Sequence, residues 1–332
     1  MSSPKQVVVT GGAGFIGSHL VERLLADGQR VVVIDDFSTG RRANLRAVAR
    51  HTGLRVVEAR VSACGELDKV VQGASAIYHL AAAVGVELVV KSPIRTIQTN
   101  LDETAAILTI ASRHGTPVLV ASTSEVYGKS QQTEFREDDD LLIGPPNLGR
   151  WSYACSKLMD EFLALAHARE RGLPVVIARI FNTVGPRQTG RYGMVLPRFI
   201  GAALAGRPLR VFGDGRQTRC FGYVQDTVEA LVRLLNCPRA RGEVFNVGGS
   251  EEVTIRHLAE RVIRLLGSTS PLEFVSYAEA YAPGFEDMRR RRPSVEKLER
   301  FTGFRPATPL ALIIERTAAA LAKQKGRPRG RP

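Results

Sequence analysis

The sequence predicts an α/β protein: a doubly wound parallel sheet with a smaller C-terminal α/β substrate-binding region. Three observations carry this. Apolar, β-branched runs alternate with amphipathic segments from the start of the chain. The first run leads straight into a glycine-rich turn, Thr10 to Leu20. After Phe181 the alternation gives way to Gly-, Pro- and Arg-rich loops with short helices.

The runs Gln6–Thr10, Arg30–Ile34, Leu54–Ala59, Ala76–Leu80, Val118–Ser122 and Val175–Ile180 are expected as strands buried on both faces. The segments Ser18–Asp27, Pro93–His114 and Ser152–Arg171 carry helical spacing of apolar residues between them. In the second half, Met194–Ala205, Val224–Asn236 and Ile255–Leu266 read as helices, and Leu209–Phe212 and Glu243–Val247 as short strands. The division expected is 1–180 for dinucleotide binding and the catalytic residues. Residues 181–322 are mainly for the substrate, with the chain crossing back to the first domain. Residues 323–332 read as a basic disordered tail, composed almost wholly of Gly, Pro, Lys and Arg.

The composition is that of an ordinary globular protein of 332 residues, 44% of them hydrophobic, enough for a large core. The formal net charge of +13 raises nucleic acid as a partner. Yet the tail has no aromatic residues between its charges, so it offers no stacking platform for bases. A basic balance also suits an anionic small substrate, which is the reading adopted. Four cysteines, at 64, 155, 220 and 237, form no Cys-x-x-Cys pair, and no metal site or disulfide framework is expected. A strand beginning at Gln6 leaves no room for a signal peptide, and no apolar stretch is long enough for a bilayer. A cytoplasmic location is expected.

The turn after the first strand holds glycines at 11, 14 and 17, followed by Ser18. Glycine is needed where a strand turns sharply into a helix and where backbone must approach a pyrophosphate. The helix start then offers free N–H groups to the phosphates. Phe15 and Ile16 lie inside this turn. Asp35 ends the second strand, where an acid hydrogen-bonds the adenosine ribose hydroxyls and repels a 2′-phosphate. The pattern therefore favours NAD over NADP.

Tyr153 and Lys157 sit four apart on a predicted helix, so their side chains share a face. A nearby ammonium favours the phenolate and lets the pair take a proton from an alcohol. That spacing alone is common. Here it follows Ala121-Ser122-Thr123-Ser124-Glu125-Val126-Tyr127-Gly128, at the carboxyl end of a predicted strand. Sites of doubly wound sheets occupy that edge.

Six segments then occur in order: GGAGFIGSHL, IDDFSTG, HLAA at 79–82, STSEVYG at 122–128, YACSK at 153–157 and ARIFNTVGPR at 178–187. Together they resemble the extended short-chain dehydrogenase/reductases that act on nucleotide sugars, from Gln6 to about Pro309. The resemblance implies a Rossmann fold, NAD as cofactor, and Thr123, Tyr153 and Lys157 as the catalytic trio. For the cofactor it implies Gly11, Gly14, Phe15, Ile16, Gly17, Asp35, Asp36, Ser38, Gly40, Leu80 and Ala81, together with Tyr153 and Lys157. It implies a homodimer built as a four-helix bundle from Thr96–His114 and Ser152–Arg171 of each subunit.

Within that family, Thr123-Ser124-Glu125 resembles the UDP-glucuronate decarboxylases, with Ser124 and Glu125 acting beside the sugar's carbon 5. GDP-mannose 4,6-dehydratases share this triplet, but Asp35-Asp36 argues against their NADP preference. The segments Ser92–Asn100, Arg179–Thr183, Gln217–Arg219 and Arg291–Ser294 are also similar to the decarboxylases. The reaction implied is decarboxylation of UDP-glucuronate through a 4-ketone, giving UDP-xylose or UDP-4-keto-pentose. A UDP-sugar 4-epimerase and a nucleotide-sugar 4,6-dehydratase stand as alternatives. So does, outside enzymes, a dinucleotide-binding regulator. On the substrate side the candidates are Asn182, Arg191, Val211, Arg219 and Arg291, with the guanidinium forks suited to a diphosphate. Arg289 and Arg290 are expected at the surface. Three segments depart from the family pattern: Arg60 where an acid near adenine is usual, the loop Ser130–Arg150 with its acidic run, and Val84–Lys91.

Overall fold

The computed structural model describes residues 5–83, 92–189, 194–276, 279 and 288–325. In chain order the first half runs β1 (Gln6–Thr10), α1 (Phe15–Ala26), β2 (Arg30–Ile34), β3 (Leu54–Val57), α2 (Leu67–Gln72), β4 (Ala76–His79), α3 (Pro93–His114), β5 (Val118–Thr123), α4 (Trp151–Arg171) and β6 (Val175–Ile180). The second half contains β7 (Thr183–Val184), α5 (Val195–Ala203), β8 (Leu209–Phe212), β9 (Thr218–Cys220), β10 (Gly222–Tyr223), α6 (Val224–Leu235), β11 (Glu243–Val247), β12 (Glu252–Thr254), α7 (Ile255–Leu265), β13 (Leu272–Val275), α8 (Glu296–Thr302) and α9 (Leu310–Lys325).

Seven strands form one parallel sheet in the order β11-β6-β5-β4-β1-β2-β3. Alternate side chains point to opposite faces, and both faces are covered. On one side Val7, Val9, Val31 and Val33 pack with Leu20 and Leu24 of α1 and Leu231 of α6. On the other, Val8, Val32, Ile77 and Val120 pack with Ile107, Leu108 and Ala111 of α3 and Ala164 of α4. Full burial of such a side chain contributes about 1.5–3 kcal/mol, so these two layers hold the sheet rigid beneath the site. β3 departs from the expectation of burial on both faces. It is the sheet edge, and Arg55 and Val56 are exposed.

The direction of winding changes between β1 and β4, which lie side by side. The crevice outside the carboxyl ends of these two strands is where open α/β sheets bind ligands. The C-terminal region closes over it. Its own core joins Phe199 and Ile200 of α5, Leu209 and Val211 of β8, Leu258 of α7 and Ile313 of α9. One strand of the second half, β11, returns to the main sheet beside β6, with Phe245 opposite Ala178. The tail reading needs correction at its start: α9 continues to Lys325, so residues 323–325 are helical. The remaining tail, 326–332, lies outside the described residues, as does the segment Val84–Lys91.

Candidate active site

One cleft of about 630 Å³ runs across the carboxyl edge of the sheet. At its cofactor end the chain turns from β1 into α1. Gly11 has φ +68°, and a Cβ there would stand 2.8 Å from the Ala81 nitrogen. A Cβ on Gly17 would overlap the Gly11 carbonyl oxygen. The turn is therefore packed backbone on backbone, and α1 begins at Phe15 with its amide end at the cleft. Gly14, Phe15, Ile16, Leu80 and Ala81 line the same wall.

Asp35 is buried at the end of β2 and accepts the Ala13 N–H at 2.8 Å and the Phe37 N–H at 2.8 Å. Burial pushes its carboxyl above the ordinary value, against the pull of those two N–H groups. Gly40 lies against this carboxylate, where a Cβ would come 2.7 Å from Oδ1. Asp36 accepts from Ser38 through both the amide and the hydroxyl, at 2.9 and 2.6 Å. Arg60 lies at the same end of the cleft, and its Nε donates to Glu103 of α3 at 3.1 Å. Glu103 also accepts the Val61 N–H at 2.5 Å and the Ser62 hydroxyl at 2.7 Å. An acid from α3 thus organises the turn where the strand itself supplies a cation.

At the other end β5, the 3₁₀ turn Ser124–Tyr127 and α4 converge. The Thr123 hydroxyl accepts the Glu125 N–H at 3.2 Å, and its influence on the nearby Tyr153 phenol is to lower its pKa. Burial pushes the Tyr153 phenol well above its ordinary value, and the Glu125 charge pushes the same way. The Lys157 ammonium is committed to the buried Asp160 at 2.7 Å. The simple expectation of a lysine turned on the phenol is thus modified by a third residue, which spacing had not singled out. Behind it, His79 bridges Thr10 at 2.8 Å and Thr104 at 3.2 Å.

Glu125 receives Arg291 Nη2 at 2.5 Å and Arg150 Nη2 at 3.3 Å. Burial alone would raise its carboxyl, but Arg291, Arg150 and Arg219 outweigh burial and hold it below the usual range. Ser124 is buried beside it in the cleft wall. Asn182 accepts from Arg291 at 3.4 Å and donates to the Cys220 carbonyl at 3.2 Å. Arg219 is buried, its Nη1 donating to the Thr218 carbonyl at 2.8 Å, and it lines the cleft. The Val211 side chain does not line it. It faces the core, and the period of two along β8 gives Arg210 and Phe212 to the cleft instead. Arg191 lies outside the described residues. Arg289 and Arg290 are exposed, and Arg290 pairs with Glu252 at 2.7 Å. Arg150, Asp160 and His79 were missed by sequence reasoning. Arg150 had one available signal: three residues before Tyr153, it stands one helical turn away.

A glycine turn shaped for pyrophosphate, an acid for ribose, and a Thr–Tyr–Lys set on one cleft define a dinucleotide-dependent enzyme of the short-chain dehydrogenase/reductase type. Residues 7–248 match the NAD dependent epimerase/dehydratase family, and the chain belongs to that family. A UDP-N-acetyl-alpha-D-glucosaminuronate decarboxylase from Bacillus cytotoxicus is 40% identical over 91% of this chain and 93% of its own. UDP-glucuronic acid decarboxylase 1 from Xenopus tropicalis is 36% identical, over 94% of this chain and 71% of its own. Among solved structures, a UDP-glucuronic acid 4-epimerase from Bacillus cereus, in complex with UDP-glucuronic acid and NAD, superposes with a TM-score of 0.86. It covers 96% of this chain and 99% of its own at 28% identity. The cofactor of the family is NAD, and the packed turn at Gly11 and Gly17 and the buried Asp35 fit it. Among the described residues no helix is long and apolar enough to cross a membrane.

Proposed function

We propose that the protein decarboxylates UDP-glucuronate by way of a 4-ketone, giving UDP-xylose or UDP-4-keto-pentose. One observation carries this reading: Glu125 is clamped between Arg291 and Arg150 beside the Thr123–Tyr153 pair. An acid is thereby held ionised in a cationic corner, next to the atoms that would handle carbon 4. The relatives named as uronate decarboxylases support the same chemistry.

Thr123 and Tyr153 bind the sugar 4-hydroxyl, and Tyr153 takes its proton. NAD held at the glycine turn and Asp35 would accept the hydride from carbon 4; its return to the ketone would give UDP-xylose, and release of the ketone before that return would leave the cofactor reduced. The positive charge of Arg291 favours the phenolate, against burial and Glu125. The resulting ketone makes the carbon 5 carboxylate a β-keto acid. The carbon 5–carboxylate bond breaks, its electron pair enters the enolate, and carbon dioxide leaves. Ser124 and Glu125 hold the ring and manage the proton returned to carbon 5. Asn182, Arg219 and Arg291 bind on the sugar-diphosphate side, and Asp35 and Asp36 select NAD over NADP. Arg191 belongs to the same proposed substrate set. The cofactor-binding part, 1–180, and the substrate part from 181 act as one catalytic unit.

The protein is further proposed to work in the cytoplasm as a homodimer. Helices α3 and α4 pack against each other, and α4 presents exposed Met159 and Phe162 on one face. A second substrate reading, UDP-N-acetylglucosaminuronate, is favoured by the 40% identical relative. It needs the same corner and differs only in carrying an acetamido group in place of the 2-hydroxyl.

The purified protein, incubated with each uronate nucleotide and with UDP-glucose, UDP-galactose and GDP-mannose, is expected to release carbon dioxide from a uronate alone. Glu125→Gln is expected to slow release of labelled carbon dioxide by about 10²–10⁴-fold. Undiminished release would remove Glu125 from the mechanism. A new epimer or a loss of water, with no carbon dioxide, would replace the reading with an alternative of the same family.

A further inference from the structure

We infer that Arg150 is the specificity residue that seats the sugar carboxylate, and that the loop before α4 exists to deliver it. This rests on the uronate reading above and names the group that recognises the uronate.

Glu125 is one anion facing three cations, Arg291, Arg150 and Arg219. After Glu125 has neutralised one guanidinium, the corner keeps a positive surplus. Arg219 and Arg291 lie toward Asn182 and the second-half loops. Arg150 lies on the opposite side, at the cap of α4 and one turn before Tyr153. The group it approaches is therefore a neighbour of the reacting carbon 4. The two contacts on Glu125 are also unequal. Arg291 holds it at 2.5 Å and Arg150 at 3.3 Å. The longer contact is the one a second carboxylate can replace at the lower cost.

The Arg150 side chain is only 12% exposed. Its guanidinium carbon stands 5.3 Å from the centre of the buried Trp151 ring. The Trp151 backbone N–H donates to the Leu148 carbonyl at 3.1 Å, and the Lys129 ammonium lies 6.0 Å from its ring. A guanidinium held beside an indole in a nearly buried position loses little further freedom when it meets a carboxylate, and its planar fork matches that partner. The contact binds the ionised group. It must loosen as the charge leaves with carbon dioxide, so Arg150 acts on binding and orientation and not on bond cleavage.

The test compares UDP-glucuronate with UDP-xylose, which lacks only the carboxylate. In the NAD-loaded enzyme, Arg150→Gln is expected to raise KM for UDP-glucuronate by about 10–100-fold, the worth of a charge-assisted hydrogen bond. The inhibition constant of UDP-xylose should stay within about 2-fold of the wild type. Arg150→Lys, which keeps the charge and loses the fork, should raise KM less, again with UDP-xylose unaffected. It serves alone if the Gln variant does not fold. Parallel weakening of both ligands, or an unchanged KM, overturns the inference while wild-type release of carbon dioxide leaves the uronate reading standing. A wild type that releases none from UDP-glucuronate overturns that reading and this inference with it.

Discussion

His79 is enclosed by the sheet and α3, hydrogen-bonded to Thr10 and Thr104 and within the field of Lys157. Burial, then the lysine charge, drives its pKa down to about 3 from 6.5. The imidazole is therefore neutral in the folded protein, while the unfolded chain takes up a proton as the pH falls below about 6.5. Stability from this residue is complete above that pH and is lost on acidification toward the folded value. Between pH 7 and pH 5 the unfolding free energy of the wild type should fall by about 2 kcal/mol relative to His79→Asn. Urea titrations at the two pH values measure this, and a difference between the proteins that is independent of pH would contradict it. The residue was visible in the sequence only as part of a motif. Its role could not be read there, because Thr10, Thr104 and the Lys157–Asp160 pair come together from three separate elements. Thr123, Tyr153 and Lys157 were legible because two of them share one helix face and the third ends a strand. The direction of the Val211 side chain was not legible in the segment alone: it faces the core, while Arg210 and Phe212 face the cleft.

At the scale of elements, the turn between β1 and α1 is the most sequence-determined part of the molecule. Its glycines are required by contacts with other backbone, so one substitution has a definite result. Gly17→Ala places a methyl group onto the Gly11 carbonyl and forces the turn open. Overpacking of this kind costs about 1–3 kcal/mol, so affinity for NAD should fall by about 10–100-fold in a fluorescence titration. Unchanged affinity would mean that the turn does not bind the pyrophosphate. The first six strands and the helix Pro93–His114 were also legible, since long periodic or β-branched runs leave few alternatives. The short helices α2 and α8 were not, because six or seven residues hold too few turns for a period to emerge. The loop before α4 looked like a departure from the family. Packing explains part of it: Phe135 stacks on Tyr127 at 4.7 Å, and its backbone bonds to Arg292 and Ser294.

For the whole molecule, the proposed homodimer gives a clear expectation. Phe162 is 58% exposed on α4 and Met159 is 54% exposed one turn earlier. Phe162→Glu would bury a charge against its own symmetry mate, so the variant should run as a monomer in light scattering while the wild type runs as a dimer. A wild-type monomer would refute the four-helix arrangement. Sequence reading expected the chain to cross back to the first domain, but not by which strand. Glu243–Val247 looks locally like its neighbours in the second half, and nothing in five residues says that β6, some sixty positions earlier, is their partner.

That late return has a consequence for synthesis on the ribosome. When β6 has emerged, its outer edge carries unpaired amide and carbonyl groups, and they stay so until Val247 is also out of the tunnel. For that interval the nascent chain presents an open template to any passing strand, a recognised route to aggregation. Completion of the sheet therefore has to wait until nearly half of the sugar region has been translated. A truncation that keeps only the glycine turn and the Tyr–Lys helix would inherit the hazard permanently.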